Sequence, residues 1–336
     1  MSNAVPTRRV LVTGGAGFIG SHLTEQLIDR GAHVTVVDDV STGALDNLAA
    51  VRDHERFTFV RGDVTDGQLV RELVGDAEVV YHLAASVGVQ RIADAPIESI
   101  ERNIAPVELL LAELVRKHRD GRSAKIFIAS SSEVYGKNPK PAWTEEDDIV
   151  LGPTKHLRWS YGASKAIDEF LALAYHRQHG LPVVVGRFFN VVGPRQTGRY
   201  GMVLPRFVDR ALDGIEPLVH DDGRQIRCFA HVRDVCRMVV ALMEEPKAVG
   251  QVFNIGSDQP VSVLELAQRV LAIVDPKLGI EYQSYRDAYS ADFQDVRRRV
   301  PVLDKLRATI DVRPEYDLDA TIHDVVAWKQ AERNPR

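Results

Sequence analysis

The chain has 336 residues, 45% of them hydrophobic and 26% charged, which is the composition of a soluble globular protein with one large domain or two moderate ones. Its formal net charge of -5 excludes a global basic field for nucleic acid or an anionic membrane. With two cysteines, no signal segment and no 18-residue apolar run, we expect a cytoplasmic protein without disulfides, a cysteine-type zinc site or a membrane partner.

A glycine-rich turn joins the first predicted strand, 9–13, to the first predicted helix, 21–28. The glycines at 14, 17 and 20 allow a tight bend, close approach of a pyrophosphate and tight packing of helix on strand, and the helix N-terminus faces the anion. A bare glycine triplet is a weak signal, but here a strand and a helix flank it. We therefore predict a dinucleotide-binding turn at Gly14, Gly17, Phe18, Ile19 and Gly20.

A carboxylate follows the second predicted strand, 33–37. Asp38 stands 24 residues after Gly14, where a carboxylate accepts hydrogen bonds from both ribose hydroxyls and repels a 2'-phosphate. The sequence therefore predicts NAD, rather than NADP, as the cofactor. In the alternative interpretation, Asp38 or Asp39 only caps a loop.

The alternation of strands and helices continues to residue 187. Further strands are predicted at 57–60, 78–83, 125–129 and 182–187, with helices to about 74, over 97–117 and from 160 onward. Continuous apolar strands separated by helices predict an α/β fold with a Rossmann-like, doubly wound parallel sheet. By position at strand ends, the residues expected along the adenine are Asp63 and Val64, and those along the central part of the cofactor are Leu83, Ala84 and Ala85.

Tyr161 and Lys165 stand four residues apart at the start of the predicted helix. This spacing puts both side chains on one helix face, about 6 Å apart. An ammonium beside a phenol favours the ionised phenol, which can then act as a general base. Taken alone, the pair also fits an ordinary amphipathic helix with a surface lysine.

Several motifs in fixed order carry a family resemblance. They are Thr13-Gly14-x-x-Gly17-x-x-Gly20, Asp38, Asp63, His82-Leu83-Ala84-Ala85, the run 130–136, Tyr161-x-x-x-Lys165 and the run 189–195. Together they resemble the extended short-chain dehydrogenase/reductase family that acts on nucleoside-diphosphate sugars, over nearly the whole chain. The resemblance implies an enzyme with tightly held NAD that oxidises the sugar at C4 to a 4-keto intermediate and returns the hydride from NADH.

The resemblance also implies roles for individual residues. Tyr161 is the base that deprotonates a sugar hydroxyl, Ser131 hydrogen-bonds the same oxygen, and Lys165 binds the nicotinamide ribose and lowers the pKa of the tyrosine. In the family, Asn190 contacts the diphosphate, the segment 201–207 packs on the base, and a late arginine reaches the ribose or diphosphate. The substrate residues so implied are Asn190, Val203, Leu204, Arg206, Arg227 and, among Arg297, Arg298 and Arg299, the last.

The domain assignment follows from the same resemblance. Residues 1–187 form an NAD-binding domain that also receives a returning segment near 231–257. Residues 188–336 belong mainly to a smaller interleaved C-terminal α/β lobe that binds the nucleotide sugar. We also expect a homodimer through a four-helix interface of the helices at about 97–118 and 160–179, with apolar positions Leu109, Leu110, Leu114, Phe170, Leu171 and Ala174.

The residues after Ser131 bear on the chemistry that follows oxidation. Ser132 and Glu133 are further catalytic candidates, because a carboxylate here suggests chemistry at C5. Dehydratases of the thymidine-diphosphoglucose type have Asp-Glu at this place, whereas the GDP-mannose type has Ser-Glu. Glu133 as a structural hydrogen-bond partner is the alternative.

An insert before Tyr161, at 151–160, resembles the UDP-glucuronate decarboxylases. Its Arg158 should lie near the sugar or its carboxylate, unless Trp159 only fills a core gap and Arg158 is at the surface. UDP-glucuronate decarboxylase is therefore our first interpretation, with Glu133 and Arg158 as candidates for positioning and proton delivery and Arg195 for carboxylate recognition. A 4-epimerase, a GDP-mannose-type 4,6-dehydratase and an NAD(H)-sensing binding protein are the alternatives, and the Tyr-Lys pair disfavours the last.

Overall fold

The structure is a computed structural model that describes residues 8–86, 95–198, 202–284 and 296–334. Its centre is a sheet of seven strands, each parallel to its neighbours. The strands are β1 (Arg9–Thr13), β2 (His33–Asp38), β3 (Phe57–Arg61), β4 (Val79–His82), β5 (Lys125–Ser131), β6 (Val183–Phe188) and β7 (Gln251–Ile255). Their order is β7-β6-β5-β4-β1-β2-β3. The chain reverses direction of winding at β1, and parallel sheets bind ligands beyond the carboxyl ends of the strands at such a point.

Helices cover both faces of this sheet. In chain order the helices are α1 (Phe18–Asp29), α2 (Gly67–Asp76), α3 (Pro96–Arg119), α4 (Ser160–His179), α5 (Val203–Leu212), α6 (Val232–Glu244), α7 (Val263–Val274), α8 (Asp304–Thr309) and α9 (Leu318–Arg333). Val10 and Val12 of β1 share a buried cluster with α1 and α6, whereas Leu11 shares one with α2, α3 and α4. Because alternate side chains of a strand point to opposite faces, the predicted doubly wound parallel sheet is confirmed.

Two predicted boundaries shift in ways that matter for the site. Helix α1 begins at Phe18 rather than 21, because the glycine turn closes at Gly17, which is the N-cap residue. Strand β5 continues two residues beyond 129, so that Ser131 stands at its carboxyl end. Both changes bring predicted site residues to the same edge of the sheet.

The smaller lobe packs around its own apolar cluster, to which α5, α7 and α9 contribute. Its strands form short pairs, namely Leu218–His220 with Glu281–Gln283, and Ile226–Cys228 with Pro260–Ser262. The segment 231–257 leaves the lobe: its α6 packs on the central sheet, and its β7 is an edge strand of that sheet. Within the described ranges, no helix is long and apolar enough to cross a lipid bilayer.

Helices α3 and α4 lie against each other on one face of the sheet. Leu110 and Leu114 of α3 are fully buried inside this chain, in the cluster that covers the sheet. Assigning them to a subunit interface was therefore wrong, since their helix face is already used. Exposed apolar side chains on these two helices are Ile97, Ile167 and Phe170.

Candidate active site

A cavity of about 540 Å³ lies beyond the carboxyl ends of the strands, between the sheet and the smaller lobe. This volume is in the range of small-molecule sites. The sequence-predicted residues that line it are Gly14, Gly17, Phe18, Ile19, Gly20, Asp38, Asp63, Val64, Leu83, Ala84, Ala85, Ser131, Ser132, Glu133, Arg158, Tyr161, Lys165, Asn190, Val203, Arg206, Arg227 and Arg299. Folding thus gathers both halves of the predicted site into one space.

The glycine turn leaves room at the N-terminus of α1. Gly14 has a φ of +72°, and a Cβ there would stand 2.7 Å from the backbone nitrogen of Ala84. A Cβ at Gly20 would stand 2.2 Å from the carbonyl oxygen of Gly14. Glycine is therefore required at both positions, and the free backbone N–H groups at the start of α1 suit a pyrophosphate. The turn fits a dinucleotide such as NAD.

Asp38 ends β2 beside this turn. Its carboxylate accepts hydrogen bonds from the backbone N–H groups of Ala16, at 2.9 Å, and Val40, at 2.8 Å. Burial raises the pKa of Asp38, and the two backbone donors oppose that rise. Asp38 thus binds local backbone, as the loop-cap alternative proposed. Because Asp38 also lines the cavity, capping is not its only possible role.

Helix α4 begins one residue before Tyr161, and its Tyr161 and Lys165 both line the cavity. Lys165 Nζ donates to Asp168 Oδ2 at 3.1 Å, and both side chains are buried. Burial and the charge of Glu133 raise the pKa of Tyr161, while a hydrogen bond with Ser131 opposes the rise. In this arrangement Asp168 pairs with Lys165, and the expected lowering of the Tyr161 pKa by Lys165 stays a prediction.

A buried ion pair holds α4 against the sheet. Arg187 of β6 donates to Glu169 of α4, with Nη2 2.7 Å from Oε2, and Ser130 of β5 also donates to Glu169, at 2.5 Å. Removing either charge would leave the other uncompensated in the interior. This network fixes the helix that carries Tyr161 relative to the strand that carries Ser131.

Glu133 lies between two arginines at the end of the cavity that contains Tyr161. Its carboxylate is 2.7 Å from Arg158 Nη1 and 2.5 Å from Arg299 Nη1. Burial opposes the charged form, but the guanidinium groups of Arg299 and Arg158 hold the pKa of Glu133 at about 2. The two arginines therefore hold Glu133 as an anion, which disfavours proton delivery by this residue, and that expected role stays a prediction. The expected contact of Arg299 with the ribose or diphosphate stays a prediction.

The insert before α4 positions Arg158. Trp159 is buried, and Gly152 packs directly on its indole, where a Cβ would stand 2.1 Å from Nε1. The guanidinium of Arg158 lies 5.4 Å from the indole centroid. Trp159 fills a core gap as the alternative proposed, but Arg158 is not a surface residue, since its side chain is 11% exposed.

Two predicted substrate residues lie outside the cavity lining. Arg195 donates to Glu25 of α1 at 2.5 Å, so the structure does not place it at the sugar end. Leu204 is fully buried in the core of the smaller lobe. Successive residues of a helix differ by about 100° in direction, so Val203 and Arg206 face the cavity while Leu204 faces away.

Several lining residues were not predicted from the sequence. Arg102 of α3 contacts three carboxylates beside the expected adenosine position. The smaller lobe adds Gln196, Leu218, His220, Gln225, Phe229 and Val263, whereas Met202 and Phe207 belong to the segment that was expected on the base. The six added residues lie in loops, in short strands or at a helix start, where the sequence carries no regular period that would point to a cavity. Gly201, the first residue of the segment expected on the base, lies outside the described residues.

Comparison with known proteins places the chain in a family. Residues 10–256 match the NAD dependent epimerase/dehydratase family. The chain belongs to this family. Its membership confirms the resemblance inferred from the motifs, the NAD cofactor and the enzymatic nature of the protein.

Members of this family that resemble the chain differ in their reactions. UDP-N-acetyl-alpha-D-glucosaminuronate decarboxylase of Bacillus cytotoxicus is 36% identical over 326 residues, covering 96% of this chain and 97% of the relative. A dTDP-glucose 4,6-dehydratase of Actinoplanes sp. is 36% identical, covering 97% of this chain and 99% of the relative. The solved UDP-glucuronic acid 4-epimerase of Bacillus cereus, in complex with UDP-glucuronic acid and NAD, is 27% identical with a TM-score of 0.83, covering 96% and 99% of the two chains. The chain is thus an NAD-dependent enzyme of nucleotide-sugar chemistry, and its particular reaction requires further argument.

Proposed function

We propose that this enzyme decarboxylates a UDP-linked hexuronate, with UDP-glucuronate as the substrate. The observation that supports the proposal is the cluster of Glu133, Arg158 and Arg299 beside Tyr161. Two guanidinium groups face one carboxylate at this end of the cavity. A planar guanidinium binds a carboxylate through two parallel hydrogen bonds, which suits the C6 carboxylate of a uronate.

The first step is proton removal from the sugar C4 hydroxyl. Tyr161 is the base, and Ser131, which hydrogen-bonds the tyrosine, orients the same oxygen. NAD, when bound, would supply the oxidising chemistry by accepting a hydride from C4 and returning it to the sugar later in the turnover. The residues that fit it are the glycine turn, Asp38 and Lys165.

The second step is loss of CO2 from the 4-keto sugar. The ketone is β to the C6 carboxylate, so the C5–C6 bond breaks with its electron pair moving toward the C4 oxygen. C5 then takes a proton from solvent, because Glu133 holds none at neutral pH. Arg158 and Arg299 orient the carboxylate, and Glu133 holds the two arginines in place.

Dehydration is less compatible with the same residues. Elimination of water needs a protonated group beside the sugar, and here Ser132 stands where one dehydratase type has an acid. Glu133 is held as an anion by two arginines. Two similar proteins of the family are named as decarboxylases of UDP-linked uronates, the Bacillus cytotoxicus protein and UDP-glucuronic acid decarboxylase 1 of Arabidopsis thaliana, which supports the same choice.

We further propose that the enzyme is a homodimer through α3 and α4. Ile97 and Phe170 are 72% and 69% exposed, which is unusual for large apolar side chains on neighbouring helices. A second copy of the two helices would cover them in a four-helix arrangement.

The test is product analysis with a panel of nucleotide sugars. Purified enzyme is incubated separately with UDP-glucuronate, UDP-N-acetylglucosaminuronate, UDP-glucose, dTDP-glucose and GDP-mannose, and product masses are read. We expect loss of CO2 from UDP-glucuronate. Loss of water from a neutral sugar, or an isomer of unchanged mass from UDP-glucuronate, would overturn the proposal in favour of dehydration or 4-epimerisation. Loss of CO2 only from the N-acetylated substrate would retain the reaction and correct the sugar.

A further inference from the structure

Arg102 lines the cavity beside the residues where the adenosine of NAD is expected. Each of its guanidinium nitrogens contacts a different carboxylate: Nη1 is 2.8 Å from Asp39, Nη2 is 3.4 Å from Asp63, and Nε is 2.9 Å from Glu98. Asp39 follows β2, Asp63 follows β3, and Glu98 belongs to α3, the helix that carries Arg102. One side chain therefore joins three separate elements around the cavity.

The two loops that Arg102 joins are the ones expected to hold the adenosine. Asp39 directly follows Asp38, whose carboxylate binds the glycine turn. Asp63 precedes Val64, and both line the cavity together with Arg102. A ligand that extends along the turn toward Asp63 therefore lies beside the loops that this side chain connects.

The charges around Arg102 argue against a different role. An arginine near the adenosine ribose is the usual means of accepting the 2'-phosphate of NADP. Here the guanidinium is already paired with carboxylates on three sides, and Asp38 adds a fourth nearby. A phosphate at this place would meet a surplus of negative charge.

We propose that Arg102, through its ion pairs, holds together the loops at the adenosine end of the cofactor cavity and so slows the release of NAD. An enzyme that uses the same cofactor molecule twice in each turnover gains from slow release. If the reduced cofactor left midway, the 4-keto sugar could not be reduced again. The proposal concerns retention of NAD and does not depend on which sugar is converted. The partners of Arg102 are partly exposed, with side-chain exposures of 29% for Asp39 and 37% for Asp63. Salt should therefore weaken these ion pairs.

The experiment measures release of the reduced cofactor from Arg102→Ala by its fluorescence after mixing with excess ADP-ribose. We expect release to be about three- to tenfold faster than in the wild type, as the loss of a network of partly exposed pairs implies. The control is Arg116→Ala on the same helix, because neither Arg116 nor its partner Glu113 lines the cavity, and its release rate should stay within about twofold of the wild type. Raising the salt concentration should speed release from the wild type and leave Arg102→Ala nearly unchanged.

Two further variants show whether the charge of Arg102 or only its size retains the cofactor. Arg102→Gln keeps much of the size but not the charge, so it should release the cofactor as fast as Arg102→Ala. Asp39→Asn combined with Arg102→Ala should add little to the single arginine variant, because the two side chains act as one contact. Equal release rates in the wild type and Arg102→Ala, with unchanged melting temperatures, would overturn the proposal. So would NADP binding by the wild type that Arg102→Ala abolishes, because the arginine would then bind phosphate.

Discussion

Glu133→Gln is the substitution that tests the charged cluster most directly. Glutamine keeps the size of the side chain and can still accept a hydrogen bond, but it removes the charge between Arg158 and Arg299. The side chains of these arginines are only 11% and 10% exposed. Water can therefore do little to stabilise their charges once the carboxylate of Glu133 is removed. The variant should therefore lose stability and, separately, one step of catalysis.

The loss of stability can be worked from two quantities. The pKa of Glu133 falls from its ordinary value of 4.5 to about 2, which corresponds to about 3 kcal/mol. Breaking a buried ion pair by removing one partner costs about 3–5 kcal/mol in other proteins. We expect the free energy of unfolding at pH 7 to fall by about 3 kcal/mol.

The dependence on pH has a definite sign. A carboxyl group whose pKa is lower in the folded state contributes stability above its unfolded pKa and loses that contribution as the pH falls toward the folded value. The difference in stability between wild type and Glu133→Gln should therefore be complete above about pH 5 and should shrink between pH 4.5 and pH 2.

The assay is urea denaturation of both proteins at several pH values, with Glu265→Gln as a matched control. Glu265 pairs with Arg269 on α7, where the side chains are 45% and 40% exposed, so its loss should cost no more than about 1 kcal/mol. Equal effects of the two substitutions at pH 7 would refute the reasoning. UDP-glucuronate should restore more stability to Glu133→Gln than UDP-glucose does, because its carboxylate can face the two arginines.

Catalysis by the same variant separates two roles of Glu133. In a single turnover with UDP-glucuronate, Glu133→Gln should still oxidise C4, seen as absorbance of the reduced cofactor, while CO2 release slows. Loss of the oxidation step, with unchanged partitioning afterward, would show instead that Glu133 only supports Tyr161.

Three other changes test the remaining parts of the site. Tyr161→Phe should reduce C4 oxidation at least about 100-fold, with little change in melting temperature, because it removes the general base; a smaller loss would point to another base. Asp168→Asn should move the acid limb of the pH-rate profile to lower pH, since the Asp168 charge raises the pKa of Tyr161, whereas Glu72→Gln on α2 should leave that limb in place. Phe170→Glu should convert a dimer to a monomer in sedimentation, and a wild type that is already monomeric at micromolar concentration would remove the proposed interface.

The sequence alone determined the fold and the frame of the site. Strand and helix periods are local properties, and the carboxyl ends of parallel strands meet at one edge. The glycine turn, Asp38, Ser131 and Tyr161 could therefore be placed around one cavity from their positions along the chain. The family motifs are local as well, which is why the cofactor followed from them.

Only the tertiary structure decided which side chains meet and which carry a proton. Glu133 and Arg299 are 166 residues apart, and the low pKa of Glu133 exists because folding brings two guanidinium groups to it. The ion pairs of Arg102, and the pairing of Arg195 with Glu25 outside the cavity lining, likewise depend on distances through space. Spacing along the chain gives no information about such distances, and charge interactions and burial are set by them.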